Sequence, residues 1–254
     1  TGKALERAGD VAAILTGLSE GDILFVDEIH RMNPQIEETF YSAMEDFRFD
    51  IVLGKGPSAR TITLPLNRFT LIGATTRISL LSSPLRDRFG IIERLEYYNP
   101  PELAEVAKRA SKALGVEIDR ELAHLLAKRA RGTPRIVLRL LRRARDFAVV
   151  SGTNVIGKEV LLETFKALEV NDYGLDKMDR RLLETIIERF SGGPVGLETM
   201  AAILGEDRDS VEDVIEPYLL QEGMIERTPR GRVVLEKGYV ACGLKPRVKN
   251  DFLF

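Results

Sequence analysis

The chain has 254 residues, 44% hydrophobic and 30% charged, with a formal net charge of −2. That is enough apolar content for a sizeable core and roughly two domains or more, and the near balance of charge means that any nucleic-acid surface must be local. The single cysteine, Cys242, excludes an internal disulfide and a zinc–thiolate cluster and fits a reducing cytoplasm; no apolar run reaches membrane-spanning length, and the expectation from the first residues is that they form no signal peptide.

A short helix is predicted over Asp10–Leu18, then a strand over Ile23–Asp27 and a helix over Pro34–Phe47. "FDIVLGKGPSARTITL", Phe49–Leu64, alternates apolar and polar residues on both sides of a Gly-Pro turn and predicts a β-hairpin. "FTLIGATT" predicts a second apolar strand and "IIERLEYY", Ile91–Tyr98, a third. "NPPELAEVAKRASKALG" opens a helical stretch with a proline-marked start and a glycine stop. Helical periodicity continues past Gly132-Thr133-Pro134 to about Val150 and resumes over Lys158–Leu168. After "NDYGLD" come three short amphipathic helices and a terminal hairpin. The predicted division is an α/β part over residues 1–98, a helical part over 99–170 and a third part over 171–254.

The chemistry concentrates at strand ends. Asp27 and Glu28 close an apolar strand, where ligands of open α/β sheets bind, and a carboxylate there is costly unless it meets a cation or water. A strand of the Walker B type uses the Asp to hold Mg²⁺ and the Glu to activate the attacking water; the plainer reading is a strand running into a helix whose first turn favours acids. "LIGATTR" adds Thr75, Thr76 and Arg77 at a neighbouring strand end, "SSPLRDRFG" adds Arg86 and Arg88, and "RGTPRI" puts Arg135 in a helical first turn. Arginine suits phosphate oxygens, and one supplied from a neighbouring subunit stabilises the transition state of phosphoryl transfer. Acidic strand, hydroxyl strand, arginine pair and helical domain follow the order of an AAA+ ATPase.

"FVDEIHRMN", "AMEDF", "GKGPSAR", "LIGATTR", "SSPLRDRFG", "RGTPRI", "GGPVGL", "EPYLLQEG" and "RTPRGR" together resemble the RuvB family of bacterial Holliday-junction branch-migration motors. The resemblance implies an AAA+ P-loop NTPase large domain, a small helical lid domain and a C-terminal winged-helix head, assembled as a homohexameric ring around duplex DNA. It implies ATP and Mg²⁺ as cofactors, with Asp27 on the metal, Glu28 on the water, Thr75 or Thr76 as first sensor and Arg88 as arginine finger. Nucleotide contacts are implied at Glu45, Asp46, Phe47, Arg88, Tyr98 and Arg135, the last as second sensor. Without the resemblance, Phe47 and Tyr98 read as core aromatics, and His30 reads as a helix-entry residue rather than a base. Implied partners are double-stranded DNA and Holliday junctions, the junction-binding protein RuvA through the hairpin around Ile51, and the resolvase RuvC. No G-x-x-x-x-G-K-[ST] loop occurs among the 254 residues. "TGKA" at Thr1–Ala4 lacks its Mg²⁺ hydroxyl, so the expectation is an N-terminally truncated large domain that does not hydrolyse ATP alone.

The run Lys128–Arg145 holds eight Lys or Arg and no acid. With Ile136, Leu140, Ala144 and Phe147 as its apolar stripe, it reads as a solvated or subunit-facing helix. The third part is the stronger DNA candidate: "GLETMAAILG" and "DRDSVEDVIEPYLLQEG" predict a helix-turn-helix, and "MIERTPRGRVVL" a hairpin exposing Arg227, Arg230 and Arg232. Gly223–Lys249 carries seven basic residues against two acidic ones. In the family, DNA contacts are implied at Arg208, Arg227 and Arg232. The alternative readings are a non-motor, clamp-loader-like AAA+ DNA-binding protein and an inert DNA-binding fragment.

Overall fold

The computed structural model describes residues 7–53 and 60–246. They fall into two compact units, one ending at Arg94 and the other beginning at Leu95.

In the first unit, helix α1 (Ala8–Thr16) precedes strand β1 (Ile23–Val26), and helix α2 (Pro34–Glu45) follows it. Strand β1 pairs in parallel with β4 (Thr70–Gly73), Ile23 opposite Thr70 and Val26 opposite Gly73. Parallel register brings both carboxyl ends to the same side, as the two apolar runs predict. The pairing is carried one step further by Ala74 N donating to Val26 O and Ile29 N to Ala74 O, each at 3.0 Å. Asp27–Glu28 and Thr75–Thr76 therefore leave the sheet side by side.

Asn33 caps α2, its side chain accepting from Ile36 N, with Pro34 in the first turn where its missing N–H costs nothing. Ile36, Phe40 and Ala43 bury one face. The helix stops at Glu45, short of the predicted Phe47, because Phe47 adopts the left-handed region at φ 50° and turns the chain into β2. Strand β2 (Arg48–Leu53) pairs with β3 (Arg60–Pro65) in antiparallel register, Phe49 opposite Leu64 and Ile51 opposite Ile62. Phe49 lies wholly in the unit's own core, whereas Ile51 is half-buried and Ile62 is 45% exposed. Only the outer end of the apolar hairpin face is thus open. The "GPSA" turn, residues 56–59, lies outside the described residues.

The third predicted strand is not formed. Ile91–Tyr98 pairs with no strand among the described residues, and Ile91 and Leu95 are 80% and 95% exposed. A strand-like segment becomes a strand only where a neighbouring backbone offers hydrogen bonds, and the described sheet holds just β1 and β4.

A short helix α3 (Ser83–Arg86) lies near the end of the first unit, and the second unit starts with a helical group: α4 (Pro100–Ala113), α5 (Arg120–Lys128), α6 (Pro134–Val150) and α7 (Lys158–Ala167). Asn99 and Glu102 form a capping box at the start of α4. The buried stripe of α6 is Val137, Leu140, Leu141, Ala144 and Ala148. It is rotated from the predicted stripe: Ile136 and Phe147 are only half-buried, since both lie at the edge of a face centred on Leu140, Leu141 and Ala144.

Helix α8 (Lys177–Phe190) then leads to α9 (Leu197–Leu204), a short helix α10 (Arg208–Ser210), a π-helical stretch (Val211–Ile215) and α11 (Glu216–Gln221). Pro217 has no N–H for an i−4 bond, so the helix widens by one residue just before it. Strands β5 (Ile225–Thr228) and β6 (Gly231–Val234) make the wing, with Arg227 directly opposite Arg232. Helix α12 (Glu236–Ala241), which the sequence reading missed, closes this core through buried Tyr239 and Ala241. No helix among the described residues is long and apolar enough to cross a membrane.

Candidate nucleotide and DNA sites

Asp27, exposed at the end of β1, is followed by Glu28 in the left-handed region at φ 50°. That conformation is unusual for a residue with a side chain, and it swings the carboxylate across to the end of β4. There Glu28 Oε2 accepts from Thr76 Oγ1 at 3.1 Å and from Thr76 N at 3.4 Å. His30 Nδ1 lies 3.2 Å from the same oxygen and 2.8 Å from Thr75 Oγ1. The imidazole is buried, its side chain 8% exposed, so it ties both strand ends together. Sequence reading set His30 aside. A contact spanning 45 positions leaves no local pattern.

Asp27 fits Mg²⁺ in a particular way. Among the described residues no three His, Cys, Asp or Glu side chains gather as a metal cage. Mg²⁺ held by one or two carboxylates, waters and substrate phosphates needs no such cage. A bound Mg²⁺ would supply charge neutralisation to phosphate oxygens there.

A second cluster sits at the far end of α2. Arg88 Nη2 is 3.2 Å from Glu45 Oε2, its Nη1 donates to Pro84 O at 2.7 Å, and its guanidinium lies 4.4 Å from the centre of the Tyr41 ring. Phe47 packs edge-on against Phe69, ring centres 6.2 Å apart, with Arg68 over it. It serves the core on one side. Asp46 caps the C-terminus of α2 and pairs with Arg48 at 3.2 Å. The 12 residues of α2 span about 18 Å at 1.5 Å per residue, which separates this cluster from the start of the helix next to the Asp27–His30 turn.

In the second unit, Arg135 is exposed in the first turn of α6, and Tyr98 is 46% exposed rather than core. Tyr98 N donates to Gly132 O at 2.9 Å. Gly132 is at φ 66°, and a Cβ there would lie 2.7 Å from Tyr97 Cβ, so glycine is required in this turn. In the run expected to be solvated or subunit-facing, Arg129 is instead buried and Arg131 is half-buried, its side chain 10% exposed. Arg129 pairs with Asp172, and Arg131 with Asp176 at 3.0 Å and with Asp179. Burial pushes the Asp179 carboxyl up to about 7, more than the Arg131 guanidinium pulls it back.

The wing arginines are less free than the sequence suggests. Glu216 is fully buried and accepts from both: from Arg232 at 2.6 and 3.0 Å, and from Arg227 at 3.2 and 2.8 Å. Two cations opposite each other on a hairpin repel, and this carboxylate bridges them. Burial alone would raise the Glu216 pKa, but the hydrogen bonds and charge of Arg232 and Arg227 outweigh it and hold it below the ordinary carboxylate value. Arg232 is 15% exposed and Arg227 47%. Arg208 is exposed beside Glu198 at 3.3 Å and Glu212 at 3.9 Å.

Comparison with known families gives three matches along the chain. Residues 1–95 match the family described as the Holliday junction DNA helicase RuvB P-loop domain. Residues 98–171 match the RuvB AAA lid domain and 172–242 the RuvB C-terminal winged helix domain. Among solved structures, the chain is similar to that titled Thermotoga maritima RuvB Holliday junction branch migration motor, with 49% identity and a TM-score of 0.84 over 96% of this chain and 77% of that one. Two point variants of the Thermotoga protein give TM-scores of 0.86 and 0.85 at 49% and 50% identity, over the same shares. At such identity over nearly its whole length, the chain belongs to the RuvB family.

Proposed function

We propose that this chain works as part of an ATP-driven DNA motor that moves the branch point of Holliday junctions during recombination and repair. The observation that carries this reading is the joined strand end, where Glu28 is held by Thr76 and His30 beside exposed Asp27. In this reading Asp27 holds the shell of a Mg²⁺ ion, and Glu28 orients and deprotonates the attacking water. Thr75 or Thr76 senses the γ-phosphate. The glycine loop that grips the phosphates is not among these 254 residues, so turnover requires one from outside this sequence.

Arg88 is assigned as the arginine finger of a neighbouring subunit's site. Its position at the other end of α2 from the Asp27 turn supports action in trans. Glu45, Asp46 and Phe47 lie on the same end, which a nucleotide bound between subunits of a homohexamer can reach. Tyr98 and Arg135 take the adenine side and the second sensor. The functional domains in this reading are 1–98, 99–170 and 171–254. The half-open Ile51–Ile62 pair supports docking of a RuvA-type junction-binding protein, with a RuvC-type resolvase joining the assembly, in the cytoplasm. On the head, Arg208 and Arg227 are the phosphate contacts of choice. Arg227 spends Nε and Nη2 on Glu216, and Nη1 remains outside both bonds. Arg232 acts chiefly as the brace beneath it.

The test uses the chain as it stands. Binding to duplex DNA should be weak, indifferent to sequence and steeply reduced by salt. Arg227→Ala should lower the slope of log K against log salt by about one unit, the loss of one phosphate contact. An unchanged slope would reassign the wing to a protein surface.

A further inference from the structure

Arg131 stands four residues before Arg135, and its side chain leaves the lid altogether. Its backbone is left-handed at φ 52° and Gly132 follows at φ 66°. This tight pair of turns sends the guanidinium one way while the chain enters α6 the other way. Nε donates to Gly174 O at 2.8 Å, Nη1 to Asp179 Oδ1 at 3.2 Å, and Nη2 to Asp179 Oδ2 and Asp176 Oδ2. The Tyr218 ring lies 5.3 Å below. The Arg131 side chain is 10% exposed and that of Asp179 1%. Every nitrogen of this guanidinium is spent on the chain beyond residue 170.

The receiving end is equally fixed. Asp176 and Asp179 form the capping box of α8, so Arg131 grips the N-terminus of the first helix of the head. The far end of α8 is bonded to the wing: Val234 N donates to Gly192 O at 2.9 Å, and Val195 and Arg232 exchange backbone bonds at 2.9 and 2.8 Å. The 14-residue helix between them spans about 21 Å. Arg129 adds a parallel tie: it stacks on Phe165 at 4.0 Å and donates to Asn171 O at 3.1 Å. Gly174 lies so close that a Cβ would sit 2.9 Å from Arg129 O.

We infer that Arg131 is a positioning residue that makes the Gly132–Arg135 loop and the winged-helix head a single lever, so that nucleotide state read at Arg135 moves the DNA-contacting wing chiefly through the Arg131–Asp179 clasp, with Arg129 as the lesser tie. This rests on the motor reading above for what Arg135 senses, whereas the clasp itself does not. Ion-paired and hydrogen-bonded side chains that cross a joint are one of the means by which coupling between sites is carried.

The experiment has two arms. In the first, the chain carries Glu163→Cys on α7 and Arg230→Cys in the wing turn, in a Cys242→Ser background, and spin labels report the distance between them. A single narrow distribution is expected. Arg131→Ala with Asp179→Asn, which removes both charges and spares the fold a lone buried carboxylate, should broaden it while helical content is retained. Arg131→Lys should fall between, because an ammonium cannot serve the Gly174 carbonyl and both carboxylates in that fixed geometry. A double-variant distribution identical to the unsubstituted one would overturn the clasp. In the second arm, the double variant in a chain extended to include a phosphate loop should keep its basal ATP hydrolysis, while ATP consumed per junction moved rises roughly 2–30-fold, the span of coupling changes along such networks. Hydrolysis and migration falling in proportion would overturn the lever. Absence of hydrolysis in the unsubstituted extended chain would overturn the motor reading and the lever with it, and the distance arm would still decide the clasp.

Discussion

Replacing Arg232 with alanine should destabilise the head far more than replacing Arg227, although the two arginines face each other on the same hairpin. Both bind Glu216 through two hydrogen bonds. Their surroundings differ: Arg232 is 15% exposed, Arg227 is 47% exposed, and Glu216 has no exposure at all. Removing one partner of a buried pair costs about 3–5 kcal/mol because the other charge stays buried. Arg227 remains on Glu216 in the Arg232→Ala variant, so the loss should fall at the low end, about 3 kcal/mol. For Arg227→Ala, solvent already screens the pair and the loss should be about 1 kcal/mol or less. In a unit of this size about 3 kcal/mol corresponds to roughly 6–12 °C in melting temperature. Urea titration and calorimetry of the chain measure both. Equal losses, or a larger one for Arg227→Ala, would refute the claim that Arg232 braces the wing from below. Salt adds a control, since the Arg227→Ala loss should shrink further at high ionic strength and the Arg232→Ala loss should not.

Asp179 gives a pH prediction. Burial pushes its folded pKa up to about 7, well above the ordinary carboxylate range, so part of the folded population carries that proton near neutral pH and the ion pair with Arg131 is complete only above it. The stabilisation from protonated Asp179 is complete below about pH 4 and is lost as pH rises through about 7. Asp179→Asn should flatten stability against pH over that range, and an unchanged curve would remove the assignment. His30→Ala, in a chain extended to carry a phosphate loop, should slow ATP hydrolysis roughly 10–100-fold by letting Glu28 drift, with nucleotide affinity unchanged. A normal rate would return His30 to a helix-entry role. Ile51→Asp should abolish capture of a RuvA-type partner without changing the melting temperature, since Ile51 is only half-buried while neighbouring Phe49 carries the core; undiminished capture would dismiss the hairpin as the docking site.

Much of this architecture is legible in the sequence because it is written locally. The apolar run ending at Asp27, the caps Asn33, Asn99 and Asp176, and the Thr-Pro-Arg-Gly turn of the wing each specify their structure within a few residues. The missed features are those set by distant partners. Arg131 and Asp179 are 48 positions apart, Thr76 and Glu28 another 48, and Arg232 and Glu216 16. An arginine with a buried partner and one in water look the same in a one-dimensional pattern. The eight basic residues of Lys128–Arg145 therefore read mostly as a solvated or subunit-facing helix, though Arg129 is buried and Arg131 half-buried. Glu216, in an acid-rich stretch, gave no hint that it alone is fully covered. The failed strand at Ile91–Tyr98 is the converse case, a strand-like composition with no neighbouring backbone to pair with among the described residues.

The central claim is that Glu28 drives DNA movement by activating water, and migration of a synthetic four-way junction by the chain extended with a phosphate loop tests it most directly. With ATP and Mg²⁺, the unsubstituted protein should convert the junction to duplex products, while Glu28→Gln should still bind nucleotide and junction but convert none. Junction conversion by Glu28→Gln at the unsubstituted rate would contradict the account.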